Sequence, residues 1–205
     1  MTEPPLVNPD GNERLTATIG VVLVVLTLVE IATLLLGLHT YLQVHVFVGL
    51  VLLPPVALKL ASTGWRFARY YTRNSIYRAK GAPQIAMRML APLLVVFTIL
   101  LFGSGVTMGL VHGEARHIAR RIHGPASVGW LIILGIHVLV YLPRTLRTVG
   151  EELRARTRRA VQGAKMRTWV VVSGLVCGLA IGLATLPVQH DWLHLHNDHH
   201  HHHDG

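Results

Sequence analysis

The chain has 205 residues, 51% of them hydrophobic and only 14% charged, with a formal net charge of +9. Its apolar residues come in blocks too long for the core helices of a soluble domain, which points to an all-α integral membrane bundle. The single cysteine, Cys177, excludes a CxxCH haem attachment, a CxxC redox pair, an iron–sulfur thiolate set and an intramolecular disulfide, and no phosphate loop, GxSxG elbow or HExxH helix offers hydrolytic chemistry.

Residues 1–16, MTEPPLVNPDGNERLT, form a polar leader without the basic n-region or cleavage site of a signal peptide, so it is expected to stay in the mature chain. The first apolar block, 17–38, contains Glu30, the only acidic residue at membrane depth, roughly 12 Å of helical rise from the outer end. Two roles suit it: proton or quinol handling beside the outer half of the bundle, or a hydrogen bond to a neighbouring helix. The second block, 41–60, holds His45 at the head of HVFVGLVLLPPVALKL, with Gly49 four residues on, Pro54 and Pro55 expected to bend the span, and Lys59 at its inner end. The third block is 90–111, with Gly105 and Gly109 four apart. The fourth, 125–142, overlaps HGPASVGWLIILGIH, residues 123–137, whose ends are His123 and His137. The fifth, 168–187, carries Gly174, Gly178 and Gly182, a small-xxx-small ridge suited to close approach of another helix or of a second protomer in a homodimer.

Basic residues set the expected orientation. Arg66, Arg69, Arg73, Arg78, Lys80 and Arg88 follow the second block, and Arg144, Arg147, Arg154, Arg156, Arg158, Arg159, Lys165 and Arg167 fill 143–167, read as a basic cytoplasmic loop. The 112–124 segment has only Arg116, Arg120 and Arg121. The positive-inside rule then predicts a multi-pass protein of the cell membrane with a cytoplasmic N-terminus and an external C-terminus. The net charge is a topology signal and a lipid contact, and nucleic acid is not an expected partner.

His123 and His137 are fourteen residues apart, nearly four helical turns and about 21 Å of rise, so both project from one helix face at opposite depths. Spans two and four run in the same direction, which puts His45 and His123 at the outer leaflet and His137 at the inner one. Polar groups at such depths are costly unless used, and haem iron, which takes neutral imidazole axially, is one user; interhelix hydrogen bonding is another. Fourteen residues beyond His45 stands Lys59, where a matched helix would carry a second ligand. Gly49 and Gly135 would let a flat macrocycle approach the backbone.

The pair His123 and His137 on one span, with His45 on a parallel span, resembles the four-helix haem b core of membrane cytochromes b: the N-terminal bundle of the bc type, the cytochrome b subunits of hydrogenases and formate dehydrogenases, and the cytochrome b561 group. The phrases HVFVGLVLLPPVALKLASTGWRFARYYT and LFGSGV are also similar to small uncharacterised actinobacterial membrane proteins related to these cytochromes. Across 17–142 the resemblance implies a four-helix core plus a fifth helix, an outer haem b between His45 and His123, and His137 as one ligand of an inner haem, giving one or two haems per chain. It leaves Lys59 either as a rare sixth ligand or as a snorkelling or propionate-pairing cation, with Arg66, Arg69 and Arg144 inside and Arg116, Arg120 and Arg121 outside as further propionate partners. The implied activity is electron relay between a quinol or soluble donor and a redox partner protein, as a subunit more than as a stand-alone enzyme.

The tail, 188–205, holds His190, His194, His196, His199, His200, His201, His202 and His203 among Asp191, Asp198 and Asp204. Such tracts bind divalent transition metals with little geometric selectivity. A second function class follows, a metal-handling or accessory membrane protein that works through this external tail.

Overall fold

The computed structural model describes residues 9–72, 85–154 and 163–189, and the tail histidines lie outside them. Five helices follow one another: α1 (Pro9–Leu35), α2 (Leu38–Tyr71), α3 (Ile85–Leu110), α4 (Glu114–Leu153) and α5 (Ala164–Ala184). No strand occurs among the described residues, and all five helices are long and apolar enough to cross a membrane. The chain is a helical membrane bundle. Large apolar side chains such as Leu28, Ile99, Leu139 and Val176 point away from it, as lipid-facing positions require.

The helices exceed the hydropathy blocks at both ends, because hydropathy marks hydrocarbon depth whereas a helix continues for as long as its backbone bonds are met. Thus α1 takes in residues 9–16 of the leader, α2 starts at Leu38 and departs from helical dihedrals only at Tyr41, and α4 absorbs both the expected outer loop from Glu114 onward and residues 143–153 of the expected inner loop. The turns fall at Gly37, with φ 112°, and Gly113, with φ 66°, backbone that glycine adopts without a Cβ penalty. Pro54 and Pro55 sit inside α2 with no break in its helical dihedrals.

Successive helices run antiparallel, so the described N- and C-terminal ends lie at opposite faces. α1 packs against α2, α4 and α5, whereas α3 packs mainly on α4 and touches α2 only marginally. α5 lies along α2. Its glycine ridge is engaged there: a Cβ at Gly174 would meet Leu58 Cδ1 at 2.5 Å, one at Gly182 would meet Phe47 Cε2 at 2.8 Å, and one at Gly178 would overlap the Val51 carbonyl oxygen. That oxygen is the acceptor Pro55 leaves without its i+4 N–H, so the bare face of Gly178 covers a carbonyl freed by proline. A homodimer contact through these glycines would have to displace α2.

The end of the bundle at which α1 begins, read from the sequence as the inner one, is tied by polar groups. Arg167 of α5, 2% exposed, binds Glu152 of α4 at 2.8 and 3.1 Å, and Arg14 of α1 reaches the same carboxylate at 3.0 Å. Arg144 pairs with Glu13 at 2.7 Å and joins α4 to α1. Asn12 Nδ2 donates to Ser62 O at 3.1 Å and joins α1 to α2.

Candidate functional site

The antiparallel register of α1 and α2 sets residues 30–33 beside His45, and that of α3 and α4 sets residues 101–105 beside His123. The two imidazoles meet in the half of the bundle opposite the start of α1, read from the sequence as the outer half, with ring centroids 6.4 Å apart and planes at 85°. His45 and His123 are therefore brought together as their depth and span direction implied. The helices that carry them share no extensive backbone contact.

Each ring is held by Nδ1. His123 Nδ1 lies 3.1 Å from the Leu101 carbonyl oxygen and 3.1 Å from Ser104 Oγ. A carbonyl only accepts, and the Ser104 hydroxyl spends its hydrogen on carbonyls of its own helix at 2.5 and 3.0 Å, so His123 must donate from Nδ1. Gly105 leaves room for the ring, since a Cβ there would stand 3.2 Å from His123 Cε1. His45 Nδ1 stands 2.6 Å from Glu30 Oε2 and 3.4 Å from Thr33 Oγ1, whose hydrogen goes to Glu30 O at 2.7 Å. The Glu30 contact lies outside hydrogen-bond alignment, and its charge favours the hydrogen on Nδ1. In both rings the lone pair then resides on Nε2, the arrangement a histidine takes when its second nitrogen binds a metal.

At Gly49 a Cβ would stand 3.3 Å from Glu30 Oε1, so the bare glycine leaves space for the Glu30 carboxylate. At Gly135 nothing lies within 4 Å of a Cβ.

The inner half is built differently. His137 packs on Tyr141 with centroids 4.8 Å apart, and its Nδ1 is buried without a hydrogen-bond partner among the described residues. Lys59 directs its Nζ to the Thr16 carbonyl at 2.6 Å, over the bare face of Gly20. Its ammonium therefore serves α1, and no second imidazole stands against His137 among the described residues. Arg69 lies over the Trp65 ring at 5.0 Å. Arg66 follows Lys59 by seven residues on the same helix. Between the two halves, buried Trp130 donates to Thr98 Oγ1 at 2.9 Å and fixes α3 on α4.

No group of three or more His, Cys, Asp or Glu side chains among the described residues is arranged to hold a metal ion. A porphyrin supplies four equatorial nitrogens of its own, so a haem site needs only one or two protein ligands. Comparison with family models, with curated proteins and with solved structures returns no match.

Proposed function

We propose that this chain is a membrane b-type cytochrome that holds one haem near the outer end of its bundle, with His45 and His123 as axial ligands. The observation that carries the reading is their approach: two imidazoles from non-adjacent helices, 6.4 Å between centroids, with His123 Nδ1 hydrogen-bonded to Leu101 O and His45 Nδ1 against the Glu30 carboxylate. The two rings would hold the haem through their second nitrogens.

Haem iron in such a site supplies one-electron transfer. The chain's own residues orient the two donors, exclude lipid from them, and with Glu30 place one carboxylate beside His45. Electron relay between a membrane quinol or soluble donor and a partner outside follows from the outer position of the pair. The N-terminus is assigned to the cytoplasm of a cell-membrane protein, since fourteen Lys and Arg lie in the two segments at that face against three in the 112–124 segment. The inner half supports a single haem rather than two, because His137 faces Tyr141 and Lys59 is spent on α1. A reduced-minus-oxidised visible spectrum with haem extracted and counted per chain tests the reading.

A further inference from the structure

We propose that Glu30 is a positioning residue that tunes this site: its carboxylate fixes His45 as the Nδ1–H tautomer and makes it the stronger of the two axial donors. This rests on the reading of His45 and His123 as a haem pair. Glu30 belongs to α1, which carries neither ligand, yet its Oε2 is 2.6 Å from His45 Nδ1. The two side chains are only 13% and 25% exposed, and neither Glu30 oxygen has an aligned hydrogen-bond partner among the described residues, so its contact with His45 Nδ1 is one of charge. Its Oε1 rests against the backbone of Gly49, one turn beyond His45, where a Cβ would come within 3.3 Å. A carboxylate placed among apolar helices is expensive unless positive charge or a strong donor offsets it, and among the described residues the imidazole is the group at contact distance.

The opposite ligand is held otherwise. His123 Nδ1 faces a neutral hydroxyl and a neutral carbonyl. A carboxylate set against the ring nitrogen gives imidazole more anionic character than a neutral neighbour does, and such partners raise ligand basicity. The added negative charge favours the ferric over the ferrous iron, so the site is held at a lower potential than its two histidines alone would set.

Redox titration of the detergent-purified protein, followed by its visible spectrum, tests this with Glu30→Gln, Glu30→Asp, Gly49→Ala and Ser104→Ala. Glu30→Gln keeps the shape and an acceptor but removes the charge. It is expected to retain haem and to shift the one-electron equilibrium at least tenfold toward the reduced form, a midpoint rise of about 59 mV or more. Glu30→Asp and Ser104→Ala should shift it less. Gly49→Ala, which pushes on Oε1 without altering any charge, should move it in the same direction by a smaller amount, and it decides the matter if Glu30→Gln does not fold. An unchanged midpoint in Glu30→Gln, or in Gly49→Ala when that variant decides, overturns the proposal, as does loss of haem from the Gln and Asp variants alike. Wild-type protein without haem would instead overturn the reading beneath it, so the two failures are distinguishable.

Discussion

Alanine at Gly178 should destabilise the bundle far more than alanine at Gly174, although the sequence presents the two as equivalent steps of one ridge. At 178 the new Cβ lands on the Val51 carbonyl oxygen and within 3.2 and 3.3 Å of Val51 C and Cα, all backbone, so α5 has to back away from α2. At 174 it meets Leu58 Cδ1 at 2.5 Å and Cγ at 3.7 Å, a single methyl that another rotamer removes. Forced overpacking costs about 1–3 kcal/mol, and a mid-helix Gly→Ala change returns up to about 1 kcal/mol of helix propensity. Gly178→Ala is thus expected to lose about 1–2 kcal/mol net, and Gly174→Ala to stay within about 0.5 kcal/mol of wild type. Equilibrium unfolding in mixed micelles of increasing denaturing-detergent fraction reads both. Equal losses at the two positions would refute the argument that α5 is seated on the carbonyl freed by Pro55.

Three further outcomes follow from the same geometry. Glu152→Ala removes the carboxylate shared by buried Arg167 and by Arg14, and should cost on the order of 3–5 kcal/mol in the same unfolding assay, since it breaks a buried ion pair from one side. Ser104→Ala takes one of two acceptors from His123 Nδ1 and leaves Leu101 O, so haem affinity should fall several-fold, matching about 1 kcal/mol, in a haem-transfer titration. A reporter active only in the cytoplasm should be silent when fused after residue 205 and active when fused before residue 1, because five spans put the termini on opposite faces.

Much of this was legible in the sequence. Unbroken apolar runs located every span, and the direction of spans two and four together with the depth of His45 and His123 was enough to pair them. The groups that seat the rings were not legible, since Ser104 and Thr33 look like ordinary small polar residues until α3 and α4, or α1 and α2, are set in register. Glu30 was placed at the correct depth, but its contact with His45 depends on helix rotation, which hydropathy does not encode. The closeness of Gly49 to Glu30 was hidden for the same reason. Helix ends were misjudged where polar helix continues past the hydrocarbon, most clearly at 143–153, whose Glu152 finds Arg167 fifteen residues away on the next helix.

The most direct test of the central claim is the visible spectrum and haem content of protein purified from haem-sufficient cells, wild type beside His123→Ala and His137→Ala. The outer pair predicts one non-covalent haem b per chain in the wild type, most of it lost in His123→Ala and retained in His137→Ala. Wild-type protein without haem absorbance would contradict the account, and so would haem that survives His123→Ala but disappears with His137→Ala.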